Sequence, residues 1–168
     1  MKITMQNDTM MITDFCEFEA YRIALSIEEQ GLHFYQKLLE CIQKDEVKSM
    51  LKFLIEEEKK HLTFFENALT DLRQEREDTD EDNDLVATLD FGIFMPYEEM
   101  KDMSQVIDNV EKALQLGILI ENKTVTFYQT CRDHVVSEDT KKELDHIIDE
   151  EKRHKELFQK ILEIEKKS

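Results

Sequence analysis

The sequence has little of the material that interrupts helices or binds metals through sulfur. Its 168 residues include one Pro and three Gly, and long stretches without either residue favour long helices. Three Cys are present, and none of them belongs to a Cys-x-x-Cys pair. This spacing excludes a zinc ribbon, a rubredoxin-type iron site and a thioredoxin-type redox pair within the chain.

The chain also lacks an excess of positive charge, long apolar runs and an N-terminal signal pattern. A net charge of −17 disfavours nucleic acid and anionic membranes as partners. No run of eighteen apolar residues is present, so the sequence predicts no membrane span. Residues 1–14 contain one Lys and no continuous apolar segment, which is not the pattern of a signal peptide. We therefore expect a cytoplasmic protein whose thiols are reduced.

Four segments carry the apolar spacing of helices. Hydrophobic residues make up 40% of the chain, enough for one domain with a substantial core, and they recur at steps of three and four. Asp14 followed by Glu17 predicts the start of the first helix near Phe15. Asp45 and Ser137 are the predicted caps of the second and fourth helices. The third helix should begin near residues 108–111, or one turn earlier.

A long connection separates the second and third predicted helices, over residues 75–105. Its first ten residues, 75–84, contain seven acidic side chains, which predicts a solvated linker, whereas the remainder is apolar enough to pack on the bundle. Residues 1–13 carry little pattern and are interpreted as an N-terminal leader. We expect one domain over residues 14–168, an all-α, antiparallel four-helix bundle with a long crossover between helices 2 and 3.

Residues 20–72 and 113–165 form an internal repeat. An offset of 93 residues pairs three ionisable positions of the first copy with the same residue types in the second: Glu28 with Glu121, Glu58 with Glu151, and His61 with His154. The same offset aligns two Phe-Tyr-Gln triplets. Because chance Glu-x-x-His pairs would not keep this register, the repeat indicates a duplicated helical hairpin. Each copy then supplies one Glu from its first helix and a Glu/His pair from its second.

These four carboxylates and two imidazoles lie on apolar helix stripes. A charge on such a stripe is costly unless it is paired or bound to metal, and four buried carboxylates without metal would repel and take up protons. The set suits iron or manganese and matches the ligand pattern of ferritin-like di-iron and di-manganese bundles. By analogy with that pattern, Glu58 and Glu151 would bridge two ions. The alternative is a plain bundle whose Glu and His face solvent.

The terminal ligands and their neighbours follow from the same spacing. Glu28 with His61 would serve one ion, and Glu121 with His154 the other, although the sequence leaves open which Glu binds which ion. Tyr35 and Tyr128 each follow a ligand Glu by seven residues, or two helical turns. Either hydroxyl could hydrogen-bond a ligand carboxylate, and plain core packing is an equal alternative.

Several further ionisable residues are predicted to stay out of the site. His33, His134 and His146 have no His partner at the 93-residue offset, and we expect them at the surface or its boundary. Glu57 and Glu150 precede the bridging carboxylates by one position, which turns them about 100° around the helix. They are predicted to be solvated rather than coordinating.

On these residues the chain resembles the rubrerythrin-like branch of the ferritin-like superfamily. In the first half the matching segments are Ala24–Glu28, leading to Phe34-Tyr35, and Glu58–His61. In the second half they are Glu121, leading to Phe127-Tyr128, and Glu151–His154, and the resemblance covers roughly residues 18–163. It implies a non-haem di-iron centre of two iron ions, with manganese or zinc as possible substitutes. The centre would cycle between diferrous and diferric states and reduce hydrogen peroxide or dioxygen. Family members act in oxidative-stress defence and commonly form homodimers.

Two departures from the family pattern bear on activity. The chain has no rubredoxin-like domain with two Cys-x-x-Cys pairs, so the resemblance implies a separate electron donor such as a rubredoxin. Thr124 stands where rubrerythrins carry an extra Glu one turn after the third-helix ligand. This difference makes the expected centre more symmetric. Two alternatives therefore stay open, a ferroxidase or iron-handling protein and a metal-binding regulatory module without turnover.

Overall fold

Four helices account for most of the described chain. A computed structural model describes residues 2–6, 9–13, 16–75 and 110–167. The helices of these ranges are α1 (Glu17–Cys41), α2 (Asp45–Glu75), α3 (Val110–His134) and α4 (Glu138–Lys166). The prediction of an all-α four-helix bundle is confirmed. None of the helices in the described ranges combines the length and the apolar character that a membrane crossing needs.

The helices form a square in which each one packs on two neighbours. α1 packs on α2 and α3, while α4 packs on α3 and α2. Tyr35 of α1 contacts Glu121 of α3, and Tyr128 further along α3 contacts Glu28 earlier in α1, so these two helices are antiparallel. Because each hairpin is also antiparallel, α2 and α3 run in the same direction. A parallel pair of successive helices is the arrangement that the prediction of a long crossover requires.

The ends of the helices test only some of the predicted caps. The Ser137 side chain accepts a hydrogen bond from the Thr140 backbone N–H at 3.3 Å, as predicted for the start of α4. Asp14, the predicted cap of α1, lies outside the described residues, and so do residues 76–109, with the acidic linker, the apolar crossover and the predicted start of α3.

A two-stranded hairpin precedes the bundle, in a segment to which the sequence assigned no regular structure. Strands β1 (Lys2–Gln6) and β2 (Thr9–Thr13) pair antiparallel, and β2 lies against α3. Both strands contain Ile and Thr, β-branched residues that favour extended backbone. The helical stripes that organise the rest of the chain gave no indication of this hairpin.

The core repeats the twofold relation of the sequence. Tyr35 packs on Phe158 with 5.2 Å between ring centroids, and Tyr128 packs on Phe65 at 5.3 Å. All four rings are at most 2% exposed. Phe65 and Phe158 each follow a predicted ligand His by four residues, so each lies one turn away on the same helix face. Matching aromatic pairs therefore border the predicted ligands in both halves.

Gly117 gives a stability prediction for the packing of α3 on α4. A Cβ at this position would lie 2.9 Å from Phe158 Cε1, and the ring is fully buried. We expect Gly117→Ala to lower the free energy of unfolding by roughly 1–2 kcal/mol, because overpacking outweighs the gain in helix propensity. In a Phe158→Leu background the same change should instead stabilise the protein, since the clash is gone. Urea denaturation of the four variants measures both signs, and destabilisation in both backgrounds would contradict the contact.

Candidate metal centre

All six ionisable residues that the sequence placed in the core are buried in the structure. They are each at most 3% exposed: Glu28, Glu58, His61, Glu121, Glu151 and His154. They lie near the middle of the four helices. They are buried because each is on the apolar stripe that its helix turns toward the centre of the bundle. The alternative of a plain bundle with these side chains in solvent is therefore wrong.

The four residues of α2 and α4 form the inner cluster. Glu58, His61, Glu151 and His154 each offer one ligand atom, and these atoms all lie within 4.8 Å of one another. The two imidazole rings face each other across the cluster with 5.6 Å between their centroids. α2 and α4 thus bring two carboxylates and two imidazoles together in one small volume.

Each inner carboxylate reaches both imidazoles. Glu151 Oε1 lies 3.1 Å from His61 Nδ1, and Glu151 Oε2 lies 3.1 Å from His154 Nδ1. Glu58 does the same through Oε2 to His61 at 3.3 Å and Oε1 to His154 at 3.0 Å. Each of the two carboxylates therefore lies between the two imidazoles and is close to both.

Glu28 and Glu121, on α1 and α3, are not part of the inner cluster. Each accepts a hydrogen bond from a Tyr of the other repeat. Tyr35 Oη donates a hydrogen bond of 2.5 Å to Glu121, and Tyr128 Oη donates one to Glu28. Glu28 Oε2 remains 3.8 Å from His61 Nδ1. Both tyrosines therefore form the predicted hydrogen bond to a carboxylate of the site. Each one donates to the Glu of the other repeat rather than to the Glu of its own helix.

The charges of the cluster divide the four carboxylates into two types. Burial, together with the charges of Glu151 and Glu58, raises the pKa values of Glu28 and Glu121 well above the ordinary carboxyl range. Burial also opposes ionisation of Glu58 and Glu151, but the imidazoles outweigh it and hold their pKa values below that range. Burial and mutual repulsion thus favour the protonated form of the outer carboxyls, whereas the imidazoles favour the ionised form of the inner ones.

The inner carboxylates favour the protonated, positively charged form of both imidazoles. Burial alone would lower the pKa of His154, but hydrogen bonds from its ring to Glu151 and Glu58 raise it to about 10. The pKa of His61 is raised further, against burial, by the charge and hydrogen bond of Glu151. Protons in the metal-free cluster therefore occupy the positions where cations would bind.

Three buried atoms test whether this donor set fits a metal. Glu58 Oε1, His61 Nδ1 and Glu151 Oε1 have no aligned hydrogen-bond partner, although ion-pair distances are short. Leaving one such buried polar group unsatisfied costs about 1–3 kcal/mol. All three atoms belong to the inner cluster, and carboxylate oxygen with imidazole nitrogen is a donor set for iron, manganese or zinc. The residues present fit divalent metal ions.

Sequence reasoning missed one residue next to the cluster. Glu150 was predicted to be solvated, but its Oε2 lies 3.0 Å from His61 Nε2 and its side chain is only 16% exposed. The prediction was wrong because it considered only the face of α4, whereas the antiparallel α2 brings the outer edge of His61 to that flank. Its counterpart Glu57 was also predicted to be solvated and is equally shielded, at 15% exposure, but it pairs with Lys60 rather than with a histidine. His33, His134 and His146 are exposed, as predicted.

The crossed tyrosines give a prediction with a built-in comparison. Tyr35→Phe and Tyr128→Phe should each lower the free energy of unfolding of the metal-free protein by about 1–3 kcal/mol, because a buried carboxyl loses its donor. Tyr21→Phe is the control, since the Tyr21 hydroxyl binds Glu17 in a part-buried contact, and its loss should cost less. Chemical denaturation measures all three, and a Tyr21 effect as large as the other two would contradict the account.

The fold and the site together define a ferritin-like bundle with a buried Glu/His cluster able to bind metal. The sequence model of the rubrerythrin family matches residues 19–162, which covers all four described helices except their outer ends. The chain belongs to the rubrerythrin family. Searches of curated proteins and of solved structures gave no significant match.

Proposed function

We propose that the protein is a non-haem di-iron oxidoreductase that reduces hydrogen peroxide or dioxygen with electrons from a separate donor. One observation carries the proposal, the two carboxylates that each span both buried imidazoles. Family membership supports it. Two electrons and two protons convert one hydrogen peroxide into two waters, so a pair of one-electron metals is the matching unit.

The ligand roles follow the geometry of the cluster. Glu58 and Glu151 would bridge the two ions, and His61 and His154 would each bind one ion through Nδ1. Glu28 and Glu121 would complete the two sides as terminal ligands. Iron supplies two adjacent redox centres that accept and return electrons, and manganese or zinc could occupy the same donor set.

The chain's own residues control water and protons at this site. The Tyr35–Phe158 and Tyr128–Phe65 pairs are buried one helical turn from His154 and His61, and burial of the cluster from bulk water strengthens electrostatic interactions inside. The hydroxyls of Tyr35 and Tyr128 orient Glu121 and Glu28. These two carboxyls must lose their protons when they bind metal.

The direct test is oxidation of the ferrous-loaded protein. Protein loaded with ferrous iron without oxygen should be oxidised by hydrogen peroxide faster than free ferrous ion at the same concentration, and a reductant should restore it for a second cycle. Glu151→Gln, which removes one bridging carboxylate, should lose this advantage. Oxidation no faster than that of free iron would contradict the proposed activity.

A second candidate, ferroxidase or iron-handling activity, is favoured by Thr124. This side chain is buried at 3% exposure one turn after Glu121, at the position where the resemblance to rubrerythrins implies an extra Glu in other family members. Without that carboxylate the α3 side offers the same single Glu as the α1 side. Repeated turnover of excess ferrous iron, with ferric product leaving the protein, would favour this candidate, whereas a single burst limited to the bound iron would favour the first.

The remaining features of the proposal concern partners and setting. The electron donor would be a separate protein such as a rubredoxin, and the chain would act as a cytoplasmic homodimer in oxidative-stress defence. No nucleic-acid or membrane partner is proposed. A regulatory metal-binding module without turnover is the third alternative, and it predicts metal-dependent stability with no redox rate to lose.

A further inference from the structure

The outer edges of the two cluster histidines are held differently. His61 Nε2 lies 3.0 Å from Glu150 Oε2. His154 forms its contacts through Nδ1, to Glu58 and Glu151, and within the described residues no hydrogen bond is formed at its Nε2. The twofold relation that governs the six predicted ligands therefore does not extend to this outer contact.

The neighbours of the two flanking carboxylates also differ between the copies. Glu57 is the counterpart of Glu150 at the 93-residue offset, and its Oε1 is held by Lys60 at 2.5 Å. Lys60 is replaced by Arg153 in the second copy, and that guanidinium lies at the longer distance of 3.6 Å from Glu150 Oε1. The first copy has Phe53 where the second has His146, whose Nε2 lies 3.4 Å from Glu150 Oε1. Arg153 and His146 both approach Oε1 of Glu150, the oxygen that does not contact His61, whereas Oε2 lies against His61 Nε2.

An ionised carboxylate can only accept hydrogen bonds, so the contact with Glu150 requires His61 to carry its proton on Nε2. In the neutral imidazole, which is the form that binds metal, a proton on Nε2 leaves the Nδ1 lone pair facing the cluster. Such a contact fixes ring orientation and raises the basicity of a metal-binding imidazole. Glu57, which pairs with Lys60, provides neither effect for His154.

We infer that Glu150 is the positioning residue for His61, and that its one-sided contact makes the two metal positions unequal. The ion beside His61 binds first and more tightly than the ion beside His154. This inference rests on the proposed metal site and adds an order of occupancy to it. It concerns the metal affinity of the two positions, whatever substrate the centre uses.

The first test is titration of the metal-free protein with Co²⁺ under argon, followed by visible absorption. The wild-type protein should bind in two resolved steps. Glu150→Ala should weaken the tighter step by about 10- to 100-fold, the usual effect of losing such an outer partner. Glu57→Ala, the matched change in the other copy, should leave both steps within a few fold of wild type. Glu150→Gln should restore most of the tight step, because its amide oxygen still accepts from Nε2–H.

The second test reads the contact itself. In zinc-loaded protein with ¹⁵N-labelled histidine, NMR should show a slowly exchanging Nε2–H at His61 and none at His154, and Glu150→Ala should remove the His61 signal. A purely structural role of Glu150 would not move this proton. Equal protection at both rings, or equal loss of affinity in Glu57→Ala and Glu150→Ala, would overturn the inference and leave the metal site standing. Absence of any metal binding would overturn both.

Discussion

Glu151→Gln should remove most of the metal affinity of the protein while leaving the bundle folded. Glu151 is the one α4 carboxylate whose two oxygens reach both buried imidazoles, at 3.1 Å each. Gln has the same shape but carries no charge and cannot bridge two cations with two anionic oxygens. We expect metal bound per chain to fall to less than about a tenth at a concentration that fills about nine tenths of the wild-type sites, an affinity loss of roughly 80-fold or about 2.6 kcal/mol.

The control for this change lies on the same helix. Glu156 is exposed, so Glu156→Gln alters the net charge equally without touching the cluster. Metal analysis after gel filtration, with circular dichroism to monitor helix content, compares the two variants. Full metal binding by Glu151→Gln, or equal loss in both variants, would contradict the bridging role.

The stabilisation that metal gives the protein should grow steeply with pH. Four groups of the metal-free cluster have raised pKa values, Glu28, Glu121, His61 and His154. A group with a raised pKa contributes stability that is full below its unfolded-state pKa and is lost as pH rises through its folded-state pKa. For His154 this loss runs from about 6.5 to about 10. The metal-free protein should therefore weaken as the pH rises through neutrality.

Glu58 and Glu151 act in the opposite direction. Their pKa values are lowered, so their contribution is present above the unfolded-state carboxyl value of about 4.3 and is lost as pH falls. The metal-free protein should be most stable in mildly acidic solution. Acid below that range and alkali above it both disrupt the carboxylate–imidazolium pairs.

Metal reverses the alkaline loss because it replaces the protons. Each displaced proton adds about 1.4 kcal/mol of metal-dependent stability per pH unit. We expect the difference in Tm between zinc-loaded and metal-free protein to increase by on the order of 10 °C from pH 6 to pH 8, at constant free Zn²⁺. Calorimetry measures it, with Glu151→Gln as the variant whose Tm difference should stay small. A difference that is flat or falls with pH would contradict the assignment of protons in the cluster.

The sequence predicts the cluster well because duplication makes it visible twice. A single Glu58–His61 pair on an acidic helix carries little information. The same pair recurs 93 residues later, as does Glu28, and this repeat predicts that all four helices face one common centre. All six predicted residues are buried, as that argument requires. The same periodicity predicts the bundle, and two like hairpins related by a twofold axis leave α2 and α3 parallel, as the structure has them.

What the sequence did not predict depends on contacts between elements rather than within them. Glu150 reaches His61 only because α2 and α4 are antiparallel and adjacent, and no spacing along one helix reveals that contact. The crossed Tyr35–Glu121 pair is similar, since spacing placed Tyr35 beside Glu28 of its own helix. The hairpin of β1 and β2 was missed for a different reason, because five-residue strands give too short a pattern beside four long helical stripes.

The measurement that tests the account most directly is the iron content of the protein prepared without oxygen, read together with its absorption spectrum after hydrogen peroxide is added. The account predicts two iron ions per chain, and an absorption change that appears only in protein with an intact Glu151. A content of zero or one iron per chain, or iron that Glu151→Gln retains in full, would contradict a paired site built on Glu58, His61, Glu151 and His154.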